Sequence, residues 1–177
     1  MIIEEIKEYD SREELEMGLW LAEAERHGLV CDIKYHFYSF VLSEKVTVSK
    51  LVALKTKNKT VEHTLLNQHK YTPDFSFRIT SKLIGKLFKS WYHDLHLFVY
   101  IDVKGSFNRF SGDREFSINQ KWMWKSKGIY IQKVVPSELF LKTWVPEECR
   151  LSPKKRQPVK KYIGTPTIEE WIREQSK

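Results

Sequence analysis

Residues 97–105 read Leu97-Phe98-Val99-Tyr100-Ile101-Asp102-Val103-Lys104-Gly105, an apolar run that becomes charged only at its end. β-Branched and aromatic residues closed by a glycine predict a strand over 97–103. Side chains alternate along a strand, so Asp102 and Lys104 project to one side at its tip. Upstream, Tyr71-Thr72-Pro73-Asp74-Phe75 sets another carboxylate at the head of a second strand candidate, Phe75–Ile79, behind a proline that fixes the backbone. If the two strands pair, Asp74 converges on Asp102 and Lys104. Two carboxylates at one apex form a hard-oxygen site suited to Mg²⁺, with Mn²⁺ as a substitute. Burying both without a cation is costly. Such a cation lowers the pKa of a water and neutralises charge on a phosphoryl transition state, while a neighbouring ammonium orients the water or stabilises developing charge. A Pro-Asp pair in a turn, or Asp-x-Lys as a surface ion pair, is common alone. It is the combination, in this order and in strand context, that points to chemistry.

Working outward, residues 11–27 read as a helix. Ser11 is its N-cap, Glu14 follows at capping-box spacing, and Leu15, Leu19 and Ala22 recur at helical steps before Gly28 ends it. Residues 32–42 and 46–54 read as strands, the second entering a hairpin with Lys57 and Asn58 near its tip. Residues 81–93 read as a helix inserted between the two acidic motifs. Its Lys82, Lys86 and Lys89 share one face, either gripping a DNA backbone or simply solvated. A helix over 114–127 presents Gln120 and Lys121, with Trp122 and Trp124 packing on the sheet, and 129–135 is a last strand stopped by Pro136. Residues 150–161 hold six bases, no acids and two prolines, and read as an extended basic segment containing Lys154, Lys155, Arg156, Lys160 and Lys161. A short helix over 165–173 is capped by Thr165 and anchored by Trp171.

The chain has 177 residues and a net charge of +7, yet residues 1–28 hold nine acids against three bases, so the remainder is strongly basic. Such a body attracts polyanions, of which nucleic acid is the commonest inside cells. No apolar run approaches the ~18 residues of a membrane span, and the acidic N-terminus lacks a secretion signal's basic region. Two lone cysteines, Cys31 and Cys149, point to a reducing, intracellular compartment. His93-Asp94-Leu95-His96 lacks a third ligand for a metal site, and His36, within an aromatic strand, reads as structural.

Glutamate in an N-terminal helix, Pro-Asp before a strand, and Asp/Glu-x-Lys ending the next strand is an order that resembles the PD-(D/E)xK nuclease superfamily. More narrowly, Ser11-Arg12-Glu13-Glu14 with Leu21 and Gly28, then Tyr71 to Phe75, then Asp102-Val103-Lys104-Gly105, resemble the phage endonuclease I family of Holliday-junction resolvases. The similarity spans roughly residues 11–135. It implies an α/β fold with a restriction-endonuclease-like core, a mixed central sheet flanked by helices. It further implies Glu14, Asp74 and Asp102 as metal ligands, the Val103 carbonyl as an extra ligand, and Lys104 as catalytic. Glu13 and Glu16 compete with Glu14, whose spacing from Ser11 also fits a plain capping box. Gln120 and Lys121 match superfamily branches in which a helix residue positions substrate phosphate.

The separation of 28 positions from Asp74 to Asp102 exceeds the family's short connection. The expectation is thus a nuclease domain over 1–145 with an inserted helix near 81–93, and a basic extension over 146–177. Its activity would be Mg²⁺-dependent endonucleolytic hydrolysis of branched DNA, particularly four-way junctions, by in-line attack of water assisted by Lys104. Paired cuts imply a homodimer, working in the cytoplasm of a bacterium or phage-infected host. The alternatives are a phage nuclease or nickase acting on linear duplex DNA, and a non-catalytic DNA-binding protein keeping the fold; the intact set Glu14, Asp74, Asp102 and Lys104 argues against silence.

Overall fold

The computed structural model describes residues 9–53, 55–89, 98–105 and 112–177. The chain divides into two units, one built from the segments either side of residues 38–72 and one made of those residues.

The larger unit opens with helix α1 (Arg12–Arg26), started by Ser11, whose hydroxyl accepts from the Glu14 amide. Gly28 takes φ +68° where the chain turns away, a conformation that disfavours side chains. Met17, Trp20, Leu21 and Ala24, spaced three, one and three apart, form its buried stripe. They cover a four-stranded sheet ordered β1 (Val30–Tyr35), β6 (Phe75–Ile79), β7 (Phe98–Val103), β8 (Ile131–Val134). The first two pairings are antiparallel and β7–β8 is parallel. A parallel neighbour needs a crossover, supplied here by α3 (Gly112–Lys127). The architecture is therefore mixed α/β, a mixed sheet flanked by helices.

Strand alternation assigns the two faces. Phe75, Phe77, Ile79, Val99, Ile101 and Val103 join the α1 stripe in the main core. Phe116, Met123 and Ile131 are buried outside that cluster, where α3 covers the other face. Trp122 and Trp124, expected against the sheet, are instead partly exposed, because the buried stripe of α3 runs through Phe116, Asn119 and Met123.

After β8 comes a helix that the sequence did not announce, α4 (Pro136–Lys142), with proline in its first turn and Leu139 and Phe140 buried. Residues 146–177, expected as an extension, pack into the same core. Trp144 stacks on Trp20 at 4.4 Å and meets Trp171 at 5.2 Å, and Trp20 Nε1 donates to the Thr143 hydroxyl. Residues 150–161 are not an extended strap. Leu151 bridges Pro158, the Ser152 amide donates to the Gln157 carbonyl, and the Arg150 guanidinium donates to the carbonyls of Thr165 and Pro166, closing a loop. The last helix, α5 (Ile168–Gln175), is capped by Thr167 with Glu170 completing a capping box, so Thr165 lies outside it.

The expected 81–93 helix is one turn, α2 (Lys82–Gly85). Glycine is a poor helix interior, and the Gln132 side chain takes up the Lys89 amide and the Leu87 carbonyl, satisfying backbone that a longer helix would have paired. Residues 90–93 and the His93–His96 motif lie outside the described residues.

The reading of 32–42 as one strand is also corrected. Asp32 and His36 have φ of +56° and +44°, and β1 ends at Tyr35 while β2 (Phe40–Ser43) belongs to the other unit. That smaller unit is an antiparallel ribbon: β2 pairs β5 (His69–Tyr71), and β3 (Val46–Ala53) pairs β4 (Asn58–Leu66) as a hairpin. Among the described residues no helix is long and apolar enough to cross a membrane.

Candidate metal and catalytic site

The ladder of the sheet carries the site. Tyr35 is opposite Phe75, and Phe75 is opposite Ile101. One step further along the same rows come His36, Asp74 and Asp102, with Lys133 opposite Asp102 on β8. The His36 amide donates to the Asp74 carbonyl at 2.9 Å, extending the row past the last strand pair. Thus Asp74 and Asp102, far apart in the chain, become neighbours at one end of the sheet.

Each carboxylate is held. Asp74 Oδ2 accepts from the Val103 amide at 2.6 Å, and Oδ1 lies 3.2 Å from His36 Nε2. Asp102 is buried, and its Oδ1 forms an ion pair with Lys104 Nζ. The Lys104 amide in turn donates to the Val134 carbonyl, so β8 fixes the backbone from which that ammonium reaches. Glu14 comes from the first turn of α1 and is buried too. Its Oε1 accepts from the Ser11 hydroxyl at 2.8 Å, and its Oε2 from the Tyr35 hydroxyl at 2.6 Å and the Asp10 amide at 3.3 Å. Ser11 therefore both caps the helix and holds the carboxylate, while the capping box stays incomplete because Glu14 takes the Asp10 amide and not that of Ser11. Of the competing acids, Glu16 turns to Arg12 at 2.9 Å. Glu13 reaches the neighbour of Lys104: a Cβ on Gly105 would stand 3.1 Å from Glu13 Oε1.

The acids act on one another. Burial, the Asp102 charge and the Glu14 charge push the Asp74 carboxyl up to about 6, against the opposing hydrogen bonds from Val103 and His36. Burial disfavours the Lys104 ammonium, but its hydrogen bond to Asp102 and the charges of Asp102, Asp74 and Glu14 outweigh it and hold the group above its ordinary range. Burial and the Glu14 hydrogen bond likewise raise the Tyr35 phenol, which stays a donor at neutral pH. Three carboxylates against one ammonium leave local negative charge, and the donors are all hard oxygens. That donor set fits Mg²⁺ or Mn²⁺. The grouping that closes to a metal's reach is a different one: among the described residues, Asp10, Glu14 and His36 offer donor atoms within 4.8 Å of one another, whereas Glu14, Asp74 and Asp102 do not come that close together. His36 lies 3.6 Å from Asp10 through Nδ1 and stacks on Tyr35 at 4.0 Å.

Tyr35, His36 and Asp10 were not among the sequence candidates. The one local signal was the residue type at position 36, since histidine tolerates positive φ better than β-branched neighbours. Of the remaining candidates, Gln120, Lys121 and Lys89 line a common cleft of about 480 Å³ with Trp124 and Tyr130. It opens where β8 begins, toward the end opposite Asp102. Gln120 Nε2 donates to the Ile131 carbonyl at 2.6 Å, which ties this amide to the sheet. Lys82 and Lys86 are exposed but no longer share a helical face with Lys89. Lys154, Lys155, Arg156, Lys160 and Lys161 are all exposed on the closed C-terminal segment. Compared with known proteins, the chain matches no family model, no curated protein and no solved structure.

Proposed function

We propose that the protein is a divalent-metal-dependent DNA endonuclease with a restriction-endonuclease-like core, hydrolysing phosphodiesters in branched DNA. The observation that carries this reading is the adjacency of Asp74 and Asp102 across β6 and β7, with Lys104 paired to Asp102. Glu14, Asp74 and Asp102, with the Val103 carbonyl, would hold Mg²⁺ or Mn²⁺. The bound ion would supply a nucleophilic water at neutral pH and neutralise charge on the phosphoryl group. Lys104, charged throughout the neutral range, would stabilise charge developing on the scissile phosphate. Tyr35 and Ser11 would keep Glu14 in one rotamer, and Val103 and His36 would do so for Asp74.

Exposed bases on residues 154–161, with Lys82, Lys86, Lys89 and Lys121, would hold DNA phosphates. A homodimer would carry two such sites and make the paired cuts that a four-way junction requires. The test is a panel of four-way junction, flap, nicked and linear duplex DNA with Mg²⁺, Mn²⁺ or EDTA. Metal-dependent cutting confined to junctions supports the reading. Linear cutting moves the substrate to ordinary duplex, and binding without cutting under every metal overturns hydrolysis.

A further inference from the structure

The two sides of the β3–β4 hairpin differ in composition. Residues directly opposite in an antiparallel pair share a face. One face carries the apolar pair Val46–Leu66 at its open end and then Val48–His63, Lys50–Val61 and Val52–Lys59, each of these three a valine beside a base. The other carries Thr47–Thr64, Ser49–Glu62, Leu51–Thr60 and Ala53–Asn58. The first face has no acid; the hairpin's one acid, Glu62, points away from it. Every residue of β3 is exposed, as are Val61, Lys59 and His63 on β4. Among the described residues no ion pair engages Lys50, Lys59 or His63. Lys55 and Lys57 add positive charge near the turn. An isolated two-stranded ribbon is marginal in water, and four exposed valines with bases among them call for a partner that is anionic yet has apolar edges.

We infer that this valine–lysine face of the hairpin is a docking surface for duplex nucleic acid, entering a groove as a two-stranded ribbon. The dimensions agree. Strands about 4.8 Å apart fit a major groove about 12 Å wide. The paired stretch of β3 is about 25 Å long at ~3.3 Å per residue, most of a helical turn. Lys50 and Lys59 are diagonal neighbours, roughly 7–8 Å apart, and diverge toward opposite walls of the groove. The valines face the groove floor, where apolar contact to thymine methyl groups is available. A second copy of the chain is the poorer occupant, since two such faces would oppose lysine to lysine.

This rests on the nucleic-acid reading of the chain, though not on hydrolysis, so it is tested in EDTA. Full-length protein is titrated into fluorescein-labelled duplex and junction DNA over a range of salt, with mass measured by light scattering. Lys50→Gln with Lys59→Gln should weaken binding at least tenfold at low salt and lower the salt slope by about 1.8, at ~0.9 per phosphate contact. Ser49→Ala with Thr60→Ala, on the other face, should leave both unchanged. Equal affinity and slope for the lysine variant would overturn the inference while leaving the nuclease reading standing. Loss of a dimer in that variant would reassign the face to contact between copies and overturn it as well. A wild-type chain that binds no DNA would end this inference outright, and cleavage with Mg²⁺ would then judge the nuclease reading separately.

Discussion

Replacing Asp74 with asparagine should make the protein more stable at neutral pH while removing its activity. In the fold the Asp74 carboxyl is pushed from an ordinary 3.8 to about 6 by burial and by Asp102 and Glu14. A carboxyl whose folded pKa lies above its unfolded value favours the fold while protonated. That contribution is complete below about pH 4 and is lost as the pH rises through about 6. At 1.36 kcal/mol per pH unit, ionisation costs the folded state roughly 3 kcal/mol by pH 7.5. Asparagine escapes this and still accepts from the Val103 amide, but a neutral acceptor gives a weaker bond, forfeiting about 1 kcal/mol. A net gain of about 2 kcal/mol corresponds to a melting temperature higher by about 4–8 °C in a chain of this size. The assay is thermal unfolding of both proteins in EDTA at pH 4 and 7.5. Asparagine should gain at pH 7.5 and lose that advantage at pH 4. A variant no more stable than wild type at either pH would show that Asp74 is not electrostatically strained, and the picture of mutually repelling acids would fail. Adding Mg²⁺ at pH 7.5 should raise the melting temperature of wild type and leave the variant nearly unmoved, because the ion stabilises the state that binds it.

Three other outcomes follow from the same geometry. Asp102→Asn and Lys104→Ala should each lower cleavage by two orders of magnitude or more with DNA affinity kept, measured by junction cleavage beside binding in EDTA; parallel loss of both would indicate misfolding, not chemistry. Tyr35→Phe removes the hydroxyl on Glu14, so turnover should fall about tenfold and half-saturation by Mg²⁺ should rise, while affinity for DNA in EDTA holds. An unchanged metal dependence would deny Tyr35 a positioning role. Trp171→Ala should cost about 3–5 kcal/mol in urea unfolding, because Trp171 packs on Trp144 in the core; a loss under 1 kcal/mol would mean that the C-terminal segment is dispensable.

The acidic row was legible because strand alternation and proline are local facts. Phe75–Ile79 formed as the sequence predicts, and β7 agrees over its described residues, so their pairing sets Asp74 beside Asp102. What the sequence hid was long-range. The turn at His36 depends on a positive φ that residue type permits but does not demand. Tyr35 reaches Glu14 only because β1 ends beside the start of α1. The one-turn α2 is limited by Gln132, 47 residues beyond Gly85. Composition makes residues 150–161 read as extended, yet Trp144, Tyr162, Ile168 and Trp171 around them supply an apolar anchor that charge counting overlooks. On α3, two tryptophans suggested the buried side, while the smaller Met123 and Phe116 occupy it.

Diffraction from Mn²⁺-soaked crystals, read at the manganese absorption edge, tests the central claim most directly. One strong anomalous peak is expected about 2.0–2.3 Å from carboxylate oxygens of Glu14, Asp74 and Asp102, with Lys104 drawn off Asp102. Density held by Asp10, Glu14 and His36 alone, or no peak at this end of the sheet, would contradict it.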